Sequence, residues 1–549
     1  MRKRSLFFLT GAVALVASMV IGPAATAEPQ QARGTVVIGH DQEPVTLNNL
    51  ITEGNAYTTS LVTNTILAGG AVYNQNARLV PFLFAGPARI TRANPLTVQF
   101  AYKPTARWSD GRQVTGADFV ATYRTIMNPN WDITSREGWQ DIARVQARGK
   151  RVTVTFKPGR AYAAWDALTA QSPWPAHKMA GQNFNDLYRN SIDVSSGPFR
   201  FVSWQKGTQL VMSRNANFNA GPKAKVERVV FRYIPSTPSL FQALQSNEIQ
   251  VTEPQPQLQI VDIRRNNRFR VQSGPGYFWE HMDIQFGPRG HAALKQAYVR
   301  QAIITGINRA QIRQALYVSP GLVANARELP VLQSHIFKPF EQFYRPHWSK
   351  WSFSQAKVIQ MLKARNCTGG PDRPAANNNA IWSCPNVGRL SFRFVTTSGN
   401  QLRALTFEIA QRQLRSVGIE LLPRFGPAGT VFGQVLPSGD WDIFMFTWLG
   451  GPTSSATSFG LYGCGGDQNY MNYCNRRASN LLQRAQFTPD PRQRAALLNQ
   501  AEARMSTDVM SVPMYVRPGF LINNTSVKGP VLNPTQQGST WNTQNWTVG

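Results

Sequence analysis

Strand-like and helix-like segments alternate along nearly all of this 549-residue chain, and no segment repeats another. That alternation constrains the fold more than any motif. Strands separated by helices pack as layered α/β structure, not as a helical bundle, a β-sandwich or a solenoid. Residues 35–39 form a short buried-type strand run, and 55–67 has the spacing of a helix. Strand patterns over 95–102 and 151–156 flank a helix over 115–127, with Thr115 as its cap and Asp118 three residues on. Strand patterns resume at 197–201, 210–213 and 226–233, followed by a helix over 237–246. Val299, Ile303 and Ile307 recur at helical spacing. Ser352 and Gln355 predict a capping box ahead of Ala356, Ile359 and Leu362. Asp490 and Pro491 open a further helix carrying Leu497, Leu498, Ala501 and Met505. Residues 536–549 read as a polar, irregular tail.

Residues 1–27 read as an export leader. Arg2, Lys3 and Arg4 precede an apolar run over 6–22, and Ala25-Thr26-Ala27 is a cleavage signal that predicts a mature start at Glu28. No cysteine stands near that site to accept a lipid. No second apolar stretch approaches the roughly 18 residues of a membrane span. The expectation is an exported protein, periplasmic or associated with the cell envelope, without a lipid anchor.

Composition narrows the partners. Lys plus Arg number 58 against 29 Asp plus Glu, a charge of +29; the leader takes three of these and leaves +26. The basic residues are scattered, and no helix-turn-helix, zinc-finger or aromatic RNA-binding pattern occurs. The charge reads as a basic surface facing an anionic envelope, with no nucleic-acid partner. No G-x-S-x-G or H-E-x-x-H motif accompanies the six histidines, so neither an enzyme nor a metal or cofactor site is expected. The four cysteines fall in two close pairs, Cys367 with Cys384 and Cys464 with Cys474. Three connectivities are open. Nearest-neighbour pairing is expected, because each bond then closes one local loop. The first such loop holds Gly369, Gly370, Pro371, Pro374 and three asparagines at 377–379.

Several stretches together resemble one family. Trp108-Ser109-Asp110-Gly111 with 114–119 resembles a W-x-D-G…T-A-x-D segment. Gly197-Pro198-Phe199 with Trp204 and 215–221 resembles a G-T-G-P-Y block. Residues 243–249 resemble A-L-x-S-G-E-I, and 299–309 resemble V-R-x-A…I-D-R. Trp441-Asp442-Ile443 leading to Trp448 resembles Y-D…W, and 469–474 resemble N-Y-x-x-aromatic-C. In this order they resemble the extracellular solute-binding proteins of the peptide and nickel type, family 5, that serve ABC importers. The pattern is nearest to dipeptide- and oligopeptide-binding members.

The resemblance implies an α/β fold of the type II periplasmic-binding-protein kind: two lobes joined by two hinge strands, with an additional subdomain inserted in lobe I. Lobe I would comprise 35–70, 196–286 and 512–535. The insertion would comprise 71–195, and lobe II 287–511. It implies a Cys464–Cys474 bond, a monomer, a small polar solute with peptides among the candidates, and an ABC permease as partner. A transport-independent envelope sensor or scaffold, or a glycan binder, are the alternatives.

The implied ligand site centres on Trp448, with Gly450 and Gly451 after it. Peptide-binding members carry an Asp near the Gly451 position to pair with the ligand's ammonium group, and this chain has no carboxylate between Trp448 and Cys464. Asp467, between Cys464 and Cys474, is the candidate substitute, and a ligand without a free amino terminus is the other reading. Glu43 and Pro44 follow the first strand. Tyr277, Trp279 and His281 alternate along the strand entering the first hinge, which would place all three on one face.

Overall fold

A computed structural model describes residues 34–549; the expected leader lies outside the described residues. Ten strands join in one mixed sheet: β1 (Thr35–His40), β2 (Phe199–Gln205), β3 (Gln209–Arg214), β4 (Arg228–Tyr233), β5 (Val251–Thr252), β6 (Phe269–Ile284), β7 (Ser391–Thr397), β8 (Glu420–Gly426), β9 (Ile443–Leu449) and β10 (Ser511–Asn524). Their order is β8-β7-β9-β6-β10-β5-β1-β4-β3-β2. β1 runs parallel to β4 and β5, and β7 runs parallel to β8 and β9. The other neighbours are antiparallel.

Two long strands make the sheet continuous. β6 has 16 residues and β10 has 14. At about 3.3 Å per residue β6 spans roughly 50 Å, far more than the short strands beside it. β6 pairs with β10 over almost its whole length and with β9 only over Phe278–Ile284. The apolar residues divide into two large cores and a small cluster of Trp279, Leu332 and Val516. One core draws on Val36 to Tyr233 with Val251, Ala456, Leu521, Val527 and Trp546; the larger runs from Leu240 to Ile522. Neighbours on β10 serve different cores: Phe520 and Ile522 join the larger, Leu521 the other, as side-chain alternation along a strand requires.

A separate four-stranded antiparallel sheet lies within 89–156. Val98, Phe100, Val152, Val154 and Phe156 alternate inward. Helix Gly116–Met127 starts as expected: the Thr115 backbone N–H donates to Asp118 Oδ2 at 2.8 Å. The expected box at Ser352 is not the cap of its helix. Ser354 is, accepting from Lys357 N at 3.3 Å, while the Gln355 side chain donates to Gln413 O and Ser416 Oγ.

Cys367 is bonded to Cys384 and Cys464 to Cys474, so each bond closes its local loop. Residues 536–549 are polar in sequence but not irregular. Ser539–Asn545 coils into short helical turns, Thr547–Val548 pairs with Val527–Lys528, and Trp546 is fully buried. The Thr540 hydroxyl donates to Leu61 O at 2.8 Å. Polarity is tolerated there because the hydroxyls find backbone acceptors. Among the described residues no helix is long and apolar enough to cross a membrane.

Candidate functional site

β1 ends at His40, and the three residues His40, Asp41 and Gln42 form one edge of a cavity of about 560 Å³. This is the carboxyl end of β1 and its parallel neighbours, where open α/β sheets hold ligands, and the volume falls in the range of small-molecule sites. Tyr57 and Tyr73 come from the N-terminal segment, and Glu253 and Gln255 from the chain just after β5. The opposite wall is built from the second core's elements: Arg403 at the start of helix Gln401–Arg415, Trp448 on β9 and Gly451 just past it. The long strands contribute Trp279 and Arg517.

Of the carboxylates lining the cavity, Asp41 and Glu253 are tied to protein donors, while Glu137 keeps a buried Oε1 without a hydrogen-bond partner. Asp41 accepts from Gln255 Nε2 at 2.6 Å, and Gln255 in turn accepts from Asn400 Nδ2 at 2.5 Å. Glu253 accepts from the Tyr57 hydroxyl at 2.6 Å and from Ser539 N at 2.9 Å. Arg403 and Glu280 form a buried pair, Nε to Oε1 at 2.8 Å, with the Thr447 hydroxyl on the other carboxylate oxygen. Arg403 also donates to Thr397 at 2.9 Å and Thr447 at 3.2 Å. Burial alone raises the Glu280 carboxyl, but the guanidinium and the hydroxyl override it and hold it below the usual range. Burial pushes the Tyr73 phenol up to about 12, so it stays a neutral partner for Thr453 Oγ1 at 3.2 Å.

Three of the nine sequence-expected residues line the cavity: Trp448, Trp279 and Gly451. A Cβ at Gly451 would lie 3.6 Å from the Tyr73 ring, an ordinary contact. Gly450 serves the backbone, donating its N–H to Tyr277 O at 2.9 Å. Glu43 points to the β2–β3 hairpin, accepting from Trp204 Nε1 at 2.7 Å and Gly207 N at 2.9 Å, and Pro44 is buried beside it. Asp467 is exposed and accepts from Ser135 Oγ at 3.0 Å and Arg136 N at 2.7 Å. Tyr277 packs against Phe340, ring centroids 5.3 Å apart. His281 is fully buried behind the wall, 4.4 Å from the Phe446 ring and 6.3 Å from Trp448. The β6 pairing is irregular between Pro275 and Trp279 and again at Glu280/His281. Strict alternation therefore does not carry Tyr277, Trp279 and His281 to one surface.

Most residues that carry the family pattern are structural. Asp118 Oδ2 holds the Thr115 backbone N–H and its Oδ1 accepts from Ala176 N at 2.9 Å; Trp108 is buried. A Cβ at Gly197 would fall 2.2 Å from Thr65 O, so only glycine allows that approach. Arg300 donates to Leu294 O and Asp508 O, and Arg309 to Leu332 O and Pro513 O. The cavity residues that sequence reasoning missed belong to no local pattern. One signal was available: Arg517 is a lone charge in an otherwise apolar strand run.

The sheet spanning two cores and the cavity between their residues define a class: two-lobed α/β proteins that bind a small solute. The chain belongs to the bacterial extracellular solute-binding proteins, family 5, whose middle-region model matches residues 85–470. It is 25% identical over 542 residues to the oligopeptide-binding protein OppA of Mycobacterium bovis, covering 93% of this chain and 87% of that protein. It is 23% identical over 589 residues to an uncharacterized lipoprotein of Mycobacterium leprae, covering 98% of each chain. Its fold matches the oligopeptide-binding protein AppA of Bacillus subtilis, solved with a nonapeptide, with a TM-score of 0.82, 18% identity and coverage of 94% of this chain and 99% of that one.

Proposed function

We propose that this protein captures a small polar, peptide-like solute in the 560 Å³ cavity and delivers it to the permease of an ABC importer. The observation that carries this reading is the cavity's construction: its walls come from both cores, which β6 and β10 join. A solute touching both walls stabilises their approach relative to a separated arrangement, and the long strands are the elements able to take up the change. The relatives' names support a peptide as the solute. The family and its neighbours are binding proteins, which supports binding without bond chemistry.

The smaller core, drawn mainly from residues 36–233, supports grouping the first part of lobe I with its insertion, whereas Leu240 to Phe269, assigned to lobe I from the sequence, pack in the larger core with residues 293–510. The irregular pairing at 275–279 favours a first crossing within β6 over one at Phe286. Export as a monomer remains part of the proposal. The lipoprotein name of the M. leprae relative makes the mode of envelope attachment a point for experiment.

The test is native mass spectrometry of protein purified from its own host, followed by X-ray scattering with and without the recovered solute. A bound small molecule and a more compact particle on adding it are expected. Empty protein whose scattering is unchanged across peptides and polar metabolites would refute the reading. So would a product formed from the solute.

A further inference from the structure

Arg517 sits on β10 between Val516 and Pro518, where the ladder to β6 is irregular. Pro518 pairs with Pro275 and Val516 with Trp279, so three β6 residues stand opposite this one arginine. Such irregularities re-aim side chains, and here Arg517 faces the cavity. The residue is half-buried, and its Nε is buried without a hydrogen-bond partner. Its guanidinium carbon lies 5.7 Å from the Phe278 ring centroid. Among the described residues it makes no ion pair. A buried guanidinium donor left open costs free energy unless something accepts from it.

Four charged groups around the cavity are committed elsewhere, while Glu137, also on its lining, keeps one carboxylate oxygen unpartnered. Glu280 is held by Arg403 and Thr447. Glu253 takes its bonds from Tyr57 and Ser539, and Asp41 from Gln255. Arg403 is already triply engaged. Arg517 is thus a cation on a long strand shared by both cores, lining the solute space without an ion pair among the described residues. A planar guanidinium fork matches the geometry of carboxylate and phosphate oxygens.

We propose that Arg517 anchors an oxyanion group, a carboxylate or a phosphate, on the solute this protein binds. The proposal rests on the cavity being the solute site.

The experiment compares thermal shifts and calorimetric affinities for two matched probe sets. The first is a pool of N-acetyl tripeptides with free carboxylates against the same pool as C-terminal amides. The second is glucose 6-phosphate against glucose. Each is run on the wild type, Arg517→Met and Arg517→Lys. The expected result is that one anionic probe binds the wild type at least tenfold more tightly than its neutral counterpart. Which set responds separates a carboxylate from a phosphate. Arg517→Met should abolish that preference, and Arg517→Lys should keep part of it, since it retains charge but not the fork. The acid-against-amide comparison on wild type needs no variant, so an unfolded Arg517→Met leaves the proposal open to refutation. Equal binding of charged and neutral probes overturns the anchor while leaving solute binding intact. So does an undiminished preference in a folded Arg517→Met. No response to any probe also overturns it, and the mass-spectrometric recovery of a solute then decides separately whether the cavity binds one.

Discussion

Trp279 and Trp448 stand directly opposite each other across the antiparallel β6–β9 pair, and both line the cavity. Cross-strand partners share one face of the sheet, so the two indoles form a continuous aromatic wall. Neither indole N–H has an acceptor among the described residues. Trp448 is also stacked with Tyr470, centroids 6.4 Å apart and planes 14° apart. The wall therefore offers an aromatic surface, which suits a solute with an apolar or planar part.

Trp448→Ala should weaken binding of the solute recovered with the native protein about tenfold, or about 1.4 kcal/mol. Trp448 is half-buried, so the fold should survive. Calorimetry with circular dichroism checks both halves. Unchanged affinity in a folded variant would move the site off this wall.

Gly451→Asp should create affinity for a free ammonium group. The position lines the cavity, and a Cβ there meets only the Tyr73 and Thr535 side chains, no nearer than 3.6 Å. Binding of trialanine amide by the variant but not by the wild type is the expected outcome. If both proteins ignore it, the ammonium-binding position of peptide-binding relatives does not map to Gly451.

Thiol titration of the native, unreduced protein should find no free cysteine. Replacing Cys464 and Cys474 together by serine should cost about 3 kcal/mol, the chain-entropy expectation for a loop of this size; the two cysteines are 10 residues apart in sequence. Urea unfolding measures it. A stability equal to wild type would mean that the Asp467 contacts with Ser135 and Arg136 hold the loop without the bond.

Lys338 predicts a pH dependence. Its ammonium is buried, donates to His335 O at 2.7 Å and lies 3.6 Å from the Trp279 ring centroid. Burial lowers its pKa from 10.5 to about 8, with Glu341 and Glu502 opposing. Below pH 8 both folded and unfolded forms are protonated. Above it the folded form loses the proton first, so the unfolded form binds more protons and stability rises with pH. Wild type should gain on the order of 2–3 kcal/mol relative to Lys338→Met between pH 8 and 10, read by urea unfolding at each pH. A difference that stays flat across that interval would show that the ammonium is not desolvated.

Much of the architecture is legible in the sequence because it depends on residues close together in the chain. The alternation in 97–101 and 151–156, the Thr115–Asp118 cap, the Asp490 cap and both cystine loops all arise from neighbours within about 20 positions. The family pattern was readable for a different reason: Gly197, Asp118 and Arg300 make contacts distant in sequence, with Thr65, Ala176 and Asp508, that the fold needs wherever it occurs. Tertiary structure alone decided the cavity. Asp41, Glu253, Arg403 and Arg517 meet there although hundreds of residues separate them, and no local spacing encodes that meeting. Long-range partners also redirected the expected contacts, Glu43 to Trp204 and Asp467 to Ser135. The irregular β6 ladder kept Trp279 in the wall while Tyr277 and His281 fell outside it. A strand's alternation is set by its own backbone, but which face meets a cavity is set by the partner strand, and that partner lies far away in the chain.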